Sequence, residues 1–294
     1  MLNVKKKYLI ISIVFFLPAL LIYVTFFLYP VVSGIFYSFT NWQGMSKTIK
    51  FVGLKNYVEL FGDRRFIASI INTFEFALIY TVLQNGFGII LALLMDMKVL
   101  FKNVYRSIIY MPSVISTLVV GFVWTYIYNP TLGVNTIFEA IGLGAIAPQW
   151  TGDIHTALLS LIIASLSASV GTSMVLYLAG LQDIPQELYE SAGIDGVNWY
   201  QKIIHITLPL LAPAITIGVV LTTIWSLKVF EIVFVMTQGG PGYATETMAT
   251  VMYDYAFRTS RFAYGTAIGV ILFLIVLVLT MVQLKVLQKR EVQY

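Results

Sequence analysis

The sequence predicts an all-α, polytopic membrane protein with six transmembrane helices, and three observations predict it. Hydrophobic residues make up 59% of the 294 and charged residues only 11%, about half the charged share of a soluble domain, so most of the chain belongs in hydrocarbon. Six runs are apolar enough to cross the roughly 30 Å of a bilayer core, which takes about 20 residues of helix. The charges gather in the connections between those runs, where water is available. The chain 1–294 therefore reads as a single transmembrane domain.

Lys5, Lys6 and Lys7 precede an uncharged run from Tyr8 to Tyr29. At 22 residues the run is longer than a signal-peptide core and lacks a small-residue cleavage site, so it is the first span, residues 8–29, with its N-terminus in the cytoplasm. Pro18 is a place for a kink. Residues 30–66 mix Trp42, Lys47, Lys50, Lys55, Glu59, Asp63, Arg64 and Arg65 with aromatics; they read as an external segment with a short amphipathic helix over 54–61.

The second span, 67–95, contains Asn72, Glu75, Gln84 and Asn85. An acid inside a span is a functional candidate, but Glu75 stands about two turns from the outer end, close enough to snorkel or pair there. Asp96, Lys98, Lys102 and Arg106 then mark a cytoplasmic loop. The third span, 104–128, carries Pro112. The connection 129–153 has no Lys or Arg and ends near Trp150, as an external loop with an interfacial anchor does.

The fourth span, 154–181, is dotted with Ser160, Ser165, Ser167, Ser169, Thr172 and Ser173; small hydroxyls in a membrane helix serve close packing or a polar ligand. The fifth, 208–227, is broken at its end by Lys228 and Glu231. A Gly239-Gly240-Pro241-Gly242 turn leads out to Glu246 and Asp254. The sixth, 263–284, is held inside by Lys285, Lys289 and Arg290. Both termini are then cytoplasmic. Ten Lys and Arg fall inside and eight outside, a bias that lies in the short loops, which are the ones that set orientation.

Between the fourth and fifth spans lies the stretch Asp183 to Pro213, with Asp183, Glu187, Glu190, Asp195 and Lys202. Hydrocarbon does not host it, so it is a folded loop facing water or a partner. Asp183 with Gln186 reads as a capping box with Pro185 in the first turn, and Asn198 with Gln201 as a second. Gly193 and Gly196 make an elbow between two short helices, and the small side chains Ser191, Ala192 and Gly196 let another backbone come close. Such a knob suits docking; an ordinary helical hairpin loop is the plainer reading.

Glu190-Ser191-Ala192, then Gly196, then Ile206-Thr207-Leu208-Pro209 resembles the cytoplasmic EAA loop of the membrane subunits of binding-protein-dependent ABC importers, with Ser191 in place of the usual alanine. Thr237-Gln238-Gly239-Gly240-Pro241, Ser38-Phe39-Thr40-Asn41-Trp42, Phe51-Val52-Gly53-Leu54 and Asn56-Tyr57 look like the carbohydrate branch, the maltose-type permeases. The resemblance spans nearly the whole chain. It implies a type I ABC importer permease fold in a bacterial or archaeal cytoplasmic membrane, with 183–207 as the coupling loop and Glu190, Ser191, Ala192, Asp195, Gly196, Leu208 and Pro209 as its coupling residues. It implies as partners a second permease of like fold, two copies of a cytoplasmic ATPase, and an extracytoplasmic sugar-binding protein that the segment 30–66 is placed to meet. The function it implies is ATP-driven alternating access for a carbohydrate, a di- or oligosaccharide.

Several chemistries are not signalled. There is no Cys, hence no disulfide framework and no thiolate site. His155 and His205 are too few and too far apart for a metal cluster or a catalytic set. The net charge of +4 is scattered, without the basic tract that nucleic acid requires. No GxxxxGK[ST] run occurs, so no cofactor is expected in this chain, and ATP with Mg belongs to the partner ATPase. The competing class is a stand-alone secondary transporter coupled through Glu75 or Glu231, but neither an inverted repeat nor a buried midplane ionisable site is visible.

A sugar path needs hydroxyl or amide groups beside aromatic faces at mid-membrane depth. Three sets at helical spacing qualify: Ser113 and Thr117; Ser165, Ser169 and Thr172; Thr222 and Ser226 beside Trp225. Counted from Ile184-Pro185 and the Gly-Gly-Pro landmark, they look like the cavity positions of the maltose-type permease, with smaller hydroxyl side chains here. Trp124, near the outer end of the third span, is a weaker addition.

Overall fold

The structure is a computed structural model that describes residues 2–45, 48–97 and 100–290; Lys47 and Lys98 of the loop assignments lie outside the described residues. Regular structure is helical, apart from one isolated bridge between Thr40 and Phe51 among the described residues. Four helices are long and apolar enough to cross a membrane, and two further bent pairs bring the number of spans to six if each pair counts as one. By contacts the chain divides into two compact units, one running through Asp63 together with Met252–Ile271, the other Arg64–Val251 together with the chain from Leu272.

The first unit begins with α1 (Leu2–Tyr23), a π-helical turn at Val24–Leu28, and α2 (Tyr29–Ser38). The helix passes through Pro18 and continues nine residues beyond the expected end of the first span at residue 29. The wide π turn lies just ahead of Pro30, at the start of α2, where the proline's missing N–H and ring are accommodated. Residues 30–38 are thus helix, and the irregular external segment starts at Phe39. There Asn56, on α3 (Lys55–Gly62), donates to the carbonyls of Ser38 and Thr40 at 2.7 and 2.8 Å. Those bonds satisfy carbonyls at the end of α2 that no helical N–H reaches. The motif residues Ser38, Thr40, Asn56 and Tyr57 therefore have a structural role: the Ser38 and Tyr57 hydroxyls are 2.7 Å apart. Nearby, Arg261 donates to Glu59 at 2.5 Å and lies 3.9 Å from the centre of the Tyr264 ring, while the Tyr255 hydroxyl donates to Asp63 at 2.6 Å.

The second unit opens with α4 (Arg64–Asp96), which overruns the expected second span by a few residues at its start. Then come α5 (Lys102–Tyr110), a 3-10 turn at Met111–Val114, and α6 (Thr117–Ile127). The third span is not one straight helix: its two halves meet at 97°. Pro112, in the 3-10 turn, has no N–H to continue the α-helical ladder, and Ile115 is extended. A short α7 (Val134–Ala140) leads to α8 (Ala157–Gln182), which starts three residues after the expected position.

The 183–207 segment holds α9 (Gln186–Ile194) and α10 (Trp199–Lys202), followed by a π turn at Ile203–Thr207 and α11 (Leu208–Leu210). α12 (Ala212–Leu227) continues at 66° to the preceding helical run, so the fifth span is bent as well; Pro209 and Pro213 flank the bend. After the break at Lys228 come α13 (Glu231–Met236), α14 (Met248–Tyr253) and α15 (Phe262–Leu287), the sixth span with three extra residues at its end.

Two apolar cores hold the second unit. One joins Phe76 and Tyr80 of α4 to Val120 of α6, Leu161 and Ile162 of α8 and Ile232 and Val233 of α13. The other, at the end carrying 183–207, joins Ala92, Met174, Tyr177, Leu181, Ile184 and Leu211. α8 packs so closely on the third span that a Cβ at Gly171 would lie 2.5 Å from the Ile109 carbonyl and 2.8 Å from Tyr110 Cα. Between the cores runs a polar knot. Asn85 accepts from the Tyr177 hydroxyl and donates to Thr222 Oγ1 at 2.8 Å, which ties α4, α8 and α12 together. Beyond α13, the 237–248 turn is strapped to α4. Arg65 chelates Glu246 with both Nε and Nη2, and Asn72 donates to the Tyr243 and Glu246 carbonyls.

Candidate functional site

The 183–207 segment is a small, well-capped knob. Asn198 accepts from the Gln201 backbone at 2.9 Å while the Gln201 side chain accepts from the Asn198 backbone at 3.1 Å, the expected box. The box expected at Asp183 is absent, because the N-cap of α9 is Pro185 and no side chain caps it. The physical reason is Pro185 itself. A residue before proline is driven out of the helical region, so Ile184 cannot be the first helical residue and Asp183 falls outside the cap. At the other end α9 closes with a Schellman turn: Val197 N–H donates to Ala192 O at 3.0 Å and Gly196 N–H to Gly193 O at 3.3 Å. Gly196 stands at φ +71° there, with no atom within 4 Å of the place a Cβ would occupy. Within this chain, the left-handed backbone is what requires glycine at Gly196.

Glu190, Ser191, Asp195 and Gly196 are exposed, Leu208 and Pro209 half-buried, and Ala192 is buried against its own knob. Ala192, though largely buried, also lines the groove formed with Ser191 and Asp195. Ser191, Asp195 and Pro209 line a groove of about 700 Å3 between α9 and the 199–210 run. Two bonds brace the knob: Lys202 Nζ donates to the Tyr189 carbonyl at 3.2 Å, and the Tyr189 and Thr207 hydroxyls are 3.1 Å apart.

The second feature is a cavity of about 290 Å3 between the two cores. Tyr80 and Gln84 come from α4, Ser169, Thr172 and Ser173 from α8, Gly218, Thr222 and Trp225 from α12. Four of the path residues named from sequence, Ser169, Thr172, Thr222 and Trp225, thus line one space. The Tyr80 ring lies against Trp225, centroids 4.9 Å apart and planes tilted by 30°, and its hydroxyl donates to Ser169 at 2.7 Å. Gln84 donates to the Ser169 carbonyl, and its buried Oε1 has no partner among the described residues.

Other path residues lie elsewhere. Ser165 and Ser226 are buried outside the cavity lining, their hydroxyls donating to Leu161 O and Thr223 O at 2.8 and 3.1 Å, which is the packing use of small hydroxyls. Ser113 packs at the Gly171 contact. Thr117 joins Trp225 in a neighbouring cavity, and Trp124 donates to Ser167 within an aromatic layer with Tyr128. Sequence reasoning missed Tyr80 and Gln84 as lining residues. Gln84 carried the signal, an amide in the middle of a span. His155 and His205 make only local contacts through a backbone N–H and a ring nitrogen, and no cluster of metal-ligand side chains occurs among the described residues.

A helical membrane protein with a polar cavity between apolar cores and an exposed, braced knob in the connection to its fifth span has the parts of a permease driven from outside its own chain. The chain belongs to the binding-protein-dependent transport system inner membrane component family, whose profile matches residues 84–293. It is similar to the probable ABC transporter permease protein YurN of Bacillus subtilis, 37% identical over 279 residues covering 94% of this chain and 95% of that one. It is similar as well to the probable starch degradation products transport system permease protein AmyD of Thermoanaerobacterium thermosulfurigenes, at 36% identity over 95% of this chain and 94% of that one. The trehalose/maltose transport system permease protein MalF of Thermococcus litoralis is 33% identical over 92% of this chain and 91% of that one. Among solved structures, a chain of a bacterial ABC transporter involved in the import of the acidic polysaccharide alginate superposes with a TM-score of 0.84, at 24% identity, over 98% of this chain and 97% of that one. That likeness carries the fold, a type I importer permease. Family membership removes the stand-alone secondary transporter.

Proposed function

We propose that the chain is the permease subunit of an ABC importer for a neutral carbohydrate of two or more rings, working by ATP-driven alternating access. The observation that carries this is the cavity between the cores: four Ser and Thr hydroxyls and an amide from three helices converge beside the tilted Tyr80–Trp225 ring pair, the mixture of hydrogen-bonding groups and aromatic faces that holds a sugar ring. The names of the relatives for starch degradation products and trehalose/maltose support the same class.

In this reading the partners are a second permease of like fold, two copies of a cytoplasmic ATPase and an extracytoplasmic sugar-binding protein. The chain has no enzymatic activity of its own; ATP and Mg are held by the ATPase. Both termini and the knob face the cytoplasm. ATP closes the ATPase pair, the knob moves with it through Glu190, Ser191, Ala192, Asp195, Gly196, Leu208 and Pro209, and the bent spans turn the cavity outward.

The test is uptake of labelled sugars by cells with and without the chain, then by Ser169→Leu, Thr222→Leu and Trp225→Ala. Import should depend on the chain and fall in all three variants while the complex still assembles. Normal import by all three moves the path elsewhere and leaves these residues to packing.

A further inference from the structure

Two charged side chains stand where the fifth span breaks. Lys228 is the C-cap of α12 and Glu231 opens α13. α12 is about 24 Å long, so the break sits well up the span. Both side chains are exposed, and neither has a hydrogen bond or ion pair among the described residues. Charges at the end of a span are retained where they meet water or a ligand. Here they line a cavity of about 300 Å3 with Thr117, Trp225, Val229, Phe230 and Ile232. Trp225 also lines the hydroxyl-bearing cavity, so the two spaces, of nearly equal size, share one indole as a wall.

The geometry points to a second sugar subsite, in which Lys228 and Glu231 grip the hydroxyls of a further neutral ring while the first ring occupies the Ser169–Thr222 cavity; this rests on the proposed carbohydrate import. The chemistry selects that ligand. An ammonium offers only donors and an ionised carboxylate only acceptors. A ring with adjacent hydroxyls supplies both complements at once, whereas a ligand with one fixed charge is drawn by one side chain and repelled by the other. Phe230 and Trp225 provide apolar faces for the C–H side of the ring. The pair thereby sets a preference for two or more rings over one.

The chain contains no cysteine, so single thiols introduced into it report cleanly. Thr172→Cys marks the first cavity and Thr117→Cys the second, which leaves Lys228 and Glu231 in place. Each is made in the complete transporter, with partner permease, ATPase and binding protein, in liposomes. A panel of glucose, maltose, trehalose, sucrose, maltotriose and raffinose is offered, and maleimide labelling of this chain is followed with each. At ten times the half-saturating concentration, a sugar of two or three rings is expected to slow labelling about tenfold at both sites by mass action, and glucose only at Thr172→Cys. In parallel, Glu231→Gln is expected to raise KM for the multi-ring sugars about tenfold with little change in maximal rate. Protection at Thr172→Cys with none at Thr117→Cys overturns the second subsite and leaves carbohydrate import standing. Absence of protection at every site with every sugar, together with absence of import, overturns both.

Discussion

Replacing Asn85 by leucine removes the amide that three helices share. The side chain is 5% exposed and Tyr177 is 0% exposed, so neither reaches water. The change deletes two interhelical bonds, from Tyr177 and to Thr222, and interhelical bonds in membranes average about 0.6 kcal/mol each. It also strands the Tyr177 hydroxyl, at about 1–3 kcal/mol for a buried orphan. Thr222 suffers less, because its hydroxyl still donates to Gly218 O at 2.8 Å. The orphan is therefore the larger effect, and the expected loss is about 2–4 kcal/mol. The assay is reversible unfolding in mixed micelles, read as a double-mutant cycle with Tyr177→Phe. Removing the hydroxyl first abolishes the orphan, so the double variant is expected to be about 1–2 kcal/mol more stable than the sum of the singles predicts. Additivity within about 0.5 kcal/mol, or an Asn85→Leu cost below about 0.5 kcal/mol, refutes the three-helix knot.

Glu190→Ala and Gly196→Asp should insert and fold normally yet lose transport at least tenfold: the first removes a carboxylate that pairs with a cation on the ATPase, worth a few kcal/mol when desolvated, and the second strains the Schellman turn at φ +71° while adding charge. Uptake and pull-down of the ATPase on the same preparations check this. Glu246→Gln leaves Arg65 without its buried counter-charge, and an unfolding free energy lower by about 3 kcal/mol is expected; Arg65→Met combined with it should recover part of that loss. Gly171→Ala forces a Cβ onto backbone atoms of the third span, which cannot rotate aside, so a loss of about 1–3 kcal/mol in the same unfolding assay is expected.

How much was legible follows from what kind of signal each element carries. The second and sixth spans are continuous apolar runs between charged ends, and their helices fall within a few residues of expectation. Bends are harder to read, because Pro112 and Pro209 mark places where a helix can break without stating the angle, and the π turn before Pro30 lets the first helix run on. The Asn198–Gln201 box was legible from spacing alone. The Asp183–Gln186 box has the same spacing but fails through the backbone preference imposed by Pro185. In the cavity, helical spacing found Ser169, Thr172, Thr222 and Trp225. It did not distinguish them from Ser165 and Ser226, since which side of a hydroxyl-rich helix faces a void is decided by neighbours on other helices.

The bend at Leu211 has a mechanical side. The run Trp199–Leu210 is about 18 Å long and α12 about 24 Å, and they meet at 66° around a fully buried leucine. Turned as one piece about that fulcrum, the two arms form a bell crank: a push of about 3 Å at the Trp199 end emerges as about 4 Å at the far end of α12, in a direction rotated by the bend. Trp225 rides near the tip of the longer arm. A crank of this shape converts sliding at the knob into a sideways sweep of an indole across the path, and its gain is set by arm lengths alone. Inserting one helical turn in α12 changes that gain by about a fifth.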